Sequence, residues 1–267
     1  MILIDTHTHL YEDQFREDCD EMIQRALDAG VSKMIIPNVD TTTIIPMLNL
    51  QHKYPNNIFP MIGLHPCYVK PDTYQKELDL IQQYLFPETA NIEEIKKLNT
   101  TFCAVGEIGI DLYWDKSTLE IQKEAFVTQC KWAVEKNIPV AIHSRDATHI
   151  LIDILKQLKH RPKGVFHCFT GSREEAVEII KLGFYLGIGG VVTYKNTNLR
   201  ETLKNISIDS IVLETDAPYL PPVPFRGKRN ESAYVKYVAE TLSTVYNMSI
   251  DELANSTTQN AERLFGV

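Results

Sequence analysis

Short apolar runs, rich in β-branched residues, recur along the whole chain at Ile2–Asp5, Lys33–Val39, Ile58–Leu64, Phe102–Ile110, Pro139–Ile142, Gly164–Phe166, Phe184–Ile188 and Ser210–Leu213. Each has the length of a strand, and several are apolar nearly throughout, the pattern of a strand covered on both faces. Between them the period changes. Cys19–Ala29 puts Met22, Ile23, Ala26 and Leu27 on one side, and Gln122–Glu135, Ala147–Leu158 and Glu174–Leu182 have the same helical spacing. Glu231–Tyr246 and Ile250–Phe265 predict two final helices, the second opened by a capping box, Ser249-Ile-Asp-Glu252. Phe86–Thr101 is long for a connection and predicts a short helix around Ile92–Leu98.

Eight strands alternating with amphipathic helices predict an α/β fold, a parallel sheet closed into a (β/α)8 TIM barrel, with an open doubly wound sheet as the alternative. No repeat, low-complexity tract or flexible linker interrupts the series, so residues 1–267 are expected to form a single domain.

Composition narrows the partners. At 44% hydrophobic and 23% charged the chain is too apolar for disorder and too polar for a membrane bundle. A formal charge of −8, from 27 basic and 35 acidic residues, argues against a basic coat for duplex nucleic acid, so a polyanion must be gripped locally. Cys19, Cys67, Cys103, Cys130 and Cys168 are odd in number and scattered, which predicts neither a disulfide framework nor a cysteine zinc module and fits a cytoplasmic location. The first residues lack the charged and apolar regions of a secretion signal, and neither a membrane nor an obligate protein partner is expected.

The informative pattern is positional. The first strand candidate runs into Asp5-Thr-His7-Thr-His9, the third into His65, the fourth contains Glu107 and Asp111, the fifth runs into His143-Ser-Arg145, the sixth into His167, and the eighth into Glu214-Thr-Asp216. In barrel enzymes that C-terminal rim carries the active site. Alternate strand residues point the same way, so His7 and His9 can face one centre. A lone histidine at a strand end is more often a hydrogen-bonded structural residue than a ligand, but convergence of the whole set is not a chance expectation. His52, His149 and His160 lie in helical or connecting segments and read as solvated or packed. Imidazole with carboxylate suits borderline divalent cations such as zinc, manganese or iron. Four histidines and two carboxylates exceed one site, and Glu107 can bridge two ions through its two oxygens. Such a pair acidifies and orients a water and stabilises the attacking and leaving oxygens of an in-line displacement, which is hydrolytic chemistry.

His7-x-His9, Gly-Glu107-Ile-Gly-Ile-Asp111, His143-Ser-Arg145, His167-Cys-Phe-x-Gly171-Ser, Glu214-Thr-Asp216-Ala-Pro-Tyr-Leu and Arg226-Gly-Lys-Arg-Asn-Glu231 together resemble the TatD family of metal-dependent deoxyribonucleases, in the family's order and over nearly the whole chain. The resemblance implies an amidohydrolase-like TIM barrel holding two divalent ions (zinc, magnesium or manganese). It places one ion on His7, His9, Glu107 and Asp216 and the other on Glu107, His143 and His167. The activity implied is 3′ to 5′ exonuclease action on DNA; the site residues themselves suggest cleavage of a phosphodiester at a flexible single-stranded end by a metal-bridging hydroxide, with Asp216, Glu107, His65 and Arg145 as catalytic residues. The chain departs from the pattern at Ser232, where the family commonly has proline, and looser chain at the start of the last helices is expected there.

The loop after the eighth strand, Pro218 to Asn230, has four prolines and three cations in four residues, the local positive patch an acidic protein needs for a polyanion. Arg226, Lys228, Arg229 and Arg145 are candidate phosphate ligands, the alternative being an ordinary solvated basic turn. Tyr113, Trp114 and Tyr219 are candidate stacking residues for unpaired bases, or else loop packing. Gly187-Ile-Gly189-Gly190 lacks the dinucleotide fingerprint, so no such cofactor is assigned. Two other functions remain open: hydrolysis of a small amide, lactone or phosphotriester on the same binuclear site, and a non-catalytic metal-binding scaffold.

Overall fold

A computed structural model describes residues 1–98 and 100–267, so Asn99, within the long Phe86–Thr101 connection, lies outside the described residues. The strands β1 (Leu3–Asp5), β2 (Val31–Pro37), β3 (Ile58–Ile62), β4 (Ala104–Asp111), β5 (Val140–Arg145), β6 (Gly164–Phe166), β7 (Phe184–Ile188) and β8 (Ile211–Leu213) form one parallel sheet in sequential order. The helices α1 (Cys19–Asp28), α2 (Ile44–Lys53), α3 (Tyr74–Leu85), α4 (Glu93–Lys96), α5 (Leu119–Lys136), α6 (Thr148–Gln157), α7 (Arg173–Lys181) and α8 (Leu199–Leu203) fall between consecutive strands, and α9 (Val235–Tyr246) and α10 (Ile250–Phe265) follow the last. The seam between β1 and β8 closes just beyond the strands: Thr6 N donates to Leu213 O at 2.9 Å, Asp216 N to His7 O at 2.9 Å, and His9 N to Ala217 O at 2.7 Å. This is the TIM barrel that the alternation predicts.

Two apolar layers follow from the two-residue period of the strands. Val140 and Ile142, Phe166, and Ile211 and Leu213 join the large layer between sheet and helices. Their neighbours Ala141, Val165 and Val212 join Ile4, Ile35, Met61 and Ala104 in a separate interior cluster, which Ala261, Leu264 and Phe265 from the last turns of α10 plug from below. The polar side of a surface helix meets solvent; α1 buries Met22, Ile23 and Ala26 and exposes Asp20, Glu21, Gln24, Arg25 and Asp28.

Gly164–Phe166, Phe184–Ile188 and Ile250–Phe265 match their predicted bounds, and the Ser249–Glu252 capping box is present. The helix around Ile92–Leu98 shortens to Glu93–Lys96, and the one expected from Glu231 begins at Val235 after a 3-10 turn, Ser232–Tyr234. That junction is not loose, contrary to the expectation from Ser232: its side chain is fully buried and its hydroxyl donates to Thr8 Oγ1 at 3.3 Å. No helix among the described residues is long and apolar enough to cross a membrane.

Candidate metal centre

One step of the strand period above the interior cluster, the chemistry changes. On β5 the interior residue Ala141 is followed two positions on by His143; past β6, Val165 is followed by His167; past β8, Val212 is followed by Glu214 and then Asp216. Glu107 requires a break in the period. Val105 and Ile108, three residues apart, both pack in the helix-side layer, and the β4–β5 register shifts between them. The extra residue turns the Glu107 side chain inward, as a bulge beside a site does. Two residues on, Gly109 has φ +151°, and a Cβ there would fall on the His143 carbonyl oxygen, so only glycine lets β4 run this close to β5.

Glu107 is the centre of the cluster. Its Oε1 lies 2.8 Å from His143 Nδ1, 2.8 Å from His167 Nε2 and 3.2 Å from His65 Nε2, while Oε2 lies 3.1 Å from His7 Nε2 and 3.6 Å from His9 Nε2. Asp216 Oδ1 approaches His9 at 3.6 Å and His7 at 3.9 Å. Glu107, His7, His9 and His167 are buried; His65 and His143 are partly so.

Burial alone would raise Glu107, but the surrounding imidazoles of His167, His65 and His7 outweigh it and hold the carboxyl well below its usual range. Asp216 follows the same balance, with burial opposed by His9, His167 and His7. Burial lowers His7 and His65, whereas His167, which burial would also lower, is raised well above its usual value by Glu107 and Glu214. Anionic oxygens at the centre of a ring of imidazole nitrogens make a donor set suited to divalent cations. Three groupings bring one donor atom from each of three residues within 4.8 Å of one another: His7, His9 and Glu107; His7, His167 and Asp216; and His65, Glu107 and His143. All six residues expected to hold metal come together here, and His65 joins them.

Two carboxylates behind the imidazoles carried no assigned role in the sequence reading. Asp111 Oδ2 lies 2.9 Å from His143 Nε2. Fully buried Glu214 accepts the Cys168 N–H and reaches within 3.6 Å of His167 Nδ1. Gly187 makes room for it, since a Cβ there would meet Glu214 Oε2. Both residues fall within motifs that were already visible, so their signal was position rather than residue type.

The predicted substrate residues divide. Arg145 lies with its guanidinium 3.8 Å from the Tyr113 ring centre and 5.9 Å from that of Trp114, and these aromatics are 56% and 71% exposed. Arg226 stacks on Tyr194 at 3.9 Å. Among the described residues no carboxylate pairs with Arg145, Arg226 or Lys228. Arg229 departs from its expected role as a phosphate ligand: its guanidinium makes two bonds to Asp18, at 2.6 and 2.7 Å, and one to the Gln14 carbonyl at 2.7 Å. Its neighbours are structural too, because Asn230 Nδ2 donates to the Thr215 and Tyr219 carbonyls and Glu231 pairs with Arg25 at 2.6 Å. The stretch Arg229 to Glu231 thus braces the loop onto α1. Tyr219 is exposed beside His9, and His52, His149 and His160 are all exposed and outside the cluster.

Comparison with known proteins agrees with this geometry. Residues 4–266 match a family model described as TatD related DNase. The chain is 41% identical over 268 residues to YabD of Bacillus subtilis, an uncharacterized metal-dependent hydrolase, with both chains covered in full. It is 33% identical over 272 residues to a protein of Escherichia fergusonii named 3′-5′ ssDNA/RNA exonuclease TatD, with 99% of each covered. The crystal structure of the TatD homologue YjjV of Escherichia coli superposes with a TM-score of 0.86 at 32% identity, covering 99% of this chain and 98% of that one. The chain belongs to the TatD family of metal-dependent hydrolases.

Proposed function

We propose that the protein is a nuclease that removes nucleotides from the 3′ ends of single-stranded DNA. The observation that carries this reading is the juxtaposition on β5 and the loop after β4: two residues beyond His143, Arg145 stacks on Tyr113 beside the exposed ring of Trp114, a cation and stacking surfaces at the lip of the metal centre. The relative named as a 3′-5′ ssDNA/RNA exonuclease supports the same substrate class and polarity.

In this reading His7, His9, Glu107 and Asp216 hold one divalent ion, and Glu107, His143 and His167 hold the other, with zinc, manganese and magnesium as candidates. When bound, the two ions supply an activated water and charge stabilisation on the phosphate oxygens. The remaining work falls to side chains. Asp216, whose side chain keeps 15% exposure where Glu107 keeps 3%, is the carboxylate open to the cleft and takes the proton released on attack. His65 Nδ1 accepts the Cys67 N–H at 3.1 Å, so in the neutral ring the proton sits on Nε2, which lies 3.2 Å from Glu107 Oε1 at the centre of the cluster. Arg145 and Arg226 neutralise the scissile and neighbouring phosphates, while Tyr113, Trp114 and Tyr219 stack on unpaired bases that a duplex would keep to itself.

The test is a substrate panel with metal-loaded protein: end-labelled single-stranded DNA, RNA, and small lactone, amide and phosphotriester esters. Stepwise shortening of DNA from its 3′ end is expected. Turnover confined to small esters would replace this reading by a small-molecule hydrolase on the same centre.

A further inference from the structure

Beside the metal centre a cavity of about 570 Å³ opens between the loop after β5 and the loop after β6, within the roughly 300–1,000 Å³ of small-molecule sites. His167, whose Nε2 lies 2.8 Å from Glu107 Oε1, lines it, so the cavity adjoins the centre directly. Arg145 lines it too and meets the Tyr113 ring at 3.8 Å on the side of the loop after β4. In the order of the strands Arg145 therefore stands between the aromatic lip and this cavity. The lining says what fits. Phe166 and Phe169, both buried, supply an apolar surface, and Ser144, Asp146, Thr148 and Thr170 supply hydroxyls and a carboxylate. Part of this lining is already engaged: Ser144 Oγ and Thr148 Oγ1 bond each other at 2.8 Å, and Glu175 accepts the Ser172 N–H at 2.7 Å. Asp146 is exposed and, among the described residues, pairs with no cation. A second phosphate in this cavity would meet two carboxylates, Asp146 and Glu175, and only one arginine or lysine, Arg145, among the described residues that line it. A neutral, flat group bearing a hydroxyl meets an apolar surface and an anionic acceptor instead.

We propose that this cavity receives the terminal nucleoside of the strand, with the Asp146 carboxylate accepting a hydrogen bond from its free 3′-hydroxyl. The proposal rests on the nuclease reading and supplies its polarity. With the phosphate that joins the last two nucleotides at the centre, the last nucleoside lies in the cavity and the preceding ones lie along the exposed rings of Tyr113 and Trp114. Water adds to the phosphorus, the bond to the penultimate 3′-oxygen breaks, that oxygen leaves as a hydroxyl with a proton of the water, and the terminal nucleotide departs with a 5′-phosphate. A strand that continues past the cavity, or ends in a 3′-phosphate, brings negative charge to Asp146 and is rejected, which confines cleavage to 3′-hydroxyl ends.

Calorimetric binding to the metal-loaded protein tests this with three probes: inorganic phosphate, thymidine 5′-monophosphate, which has a free 3′-hydroxyl, and thymidine 3′,5′-bisphosphate, which does not. The wild type should bind the monophosphate about 10-fold or more tightly than either of the others, the scale of one hydrogen bond to a charged group. Asp146 has φ +55°, so Asp146→Gly deletes the carboxylate without straining the backbone. The variant should bind the monophosphate about 10- to 100-fold more weakly and no better than the bisphosphate, with inorganic phosphate affinity and bound metal unchanged. Shortening of oligonucleotides ending in a 3′-hydroxyl or a 3′-phosphate should follow the same order. A wild type that binds the bisphosphate as tightly as the monophosphate overturns the proposal even if the variant does not fold, and so does a folded variant that keeps the preference. In either case shortening of the 3′-hydroxyl oligonucleotide leaves the nuclease reading standing; shortening of neither oligonucleotide ends that reading and the proposal with it.

Discussion

The floor and the rim of the barrel are made by the same strands, a step or two of the strand period apart, and they obey opposite rules. At the floor, Ile35, Met61, Val165 and Val212 interlock with Leu264 and Phe265 of α10, a close-packed apolar plug in which the stabilisation is burial. Roughly 7 Å further along β5 and β6, at about 3.3 Å per residue, His143 and His167 enter a cluster of imidazoles around one buried carboxylate. Without a bound cation that cluster desolvates charge for little return, so it weakens the fold that the floor secures. Stability and chemistry are thus segregated along each strand, and substitutions at the two ends should have separable consequences.

The largest separation is expected at Glu107. Replacing it by Gln should lower the hydrolytic rate by about 10²–10³-fold or more, the scale of losing a central electrostatic group, while leaving the metal-free melting temperature unchanged or higher. Calorimetry alongside turnover would show it, and a large stability loss would mean the rim holds the fold after all. The mirror experiment is Ile35→Ala. It should cost about 2–5 kcal/mol of stability through the cavity it leaves, with turnover per folded molecule unchanged. Smaller again is Trp114→Ala, which should weaken binding of single-stranded DNA by about 1–3 kcal/mol, the worth of one stacked base. Stability and metal content should not move, and intact oligonucleotide affinity would remove Trp114 from the binding surface.

A further effect is one of pH. Burial pushes the Asp5 carboxyl up to about 7, against the hydrogen bonds from Thr215 that favour its charge. Between about pH 4 and 7 the folded protein keeps a proton that the unfolded chain has released, so this group subtracts stability as pH rises through that window and the loss levels off above it. Asp5→Asn removes the dependence. Denaturation of metal-free protein should find the variant gaining on the wild type between pH 5 and pH 8, and a difference independent of pH would contradict the assignment.

The sequence carried the floor and the rim unequally. Strand and helix alternation was legible because buried parallel strands read as apolar runs, and the ligands were legible because all but Glu107, a charge inside such a run, fall at the end of one. α2 and α3 went unassigned: Pro46 sits within α2 and the apolar stripe of α3 is thin, so packing rather than local pattern establishes them. The inward turn of Glu107 depends on a register shift between β4 and β5, a relation between strands that no single stretch encodes. Arg229 looked like a phosphate ligand because a basic run reads the same whether its charges are free or matched. Its partner, Asp18, lies more than two hundred residues away.

The most direct measurement is cleavage of end-labelled single-stranded DNA by metal-stripped protein, by the same protein reloaded with Mn2+ or Zn2+, and by reloaded Asp216→Ala, with bound metal and melting temperature determined on each sample. The account predicts no cleavage when stripped, recovery on reloading, and loss of cleavage with reduced metal content but an intact fold in the variant. Cleavage by stripped protein, or undiminished cleavage by Asp216→Ala, would contradict it.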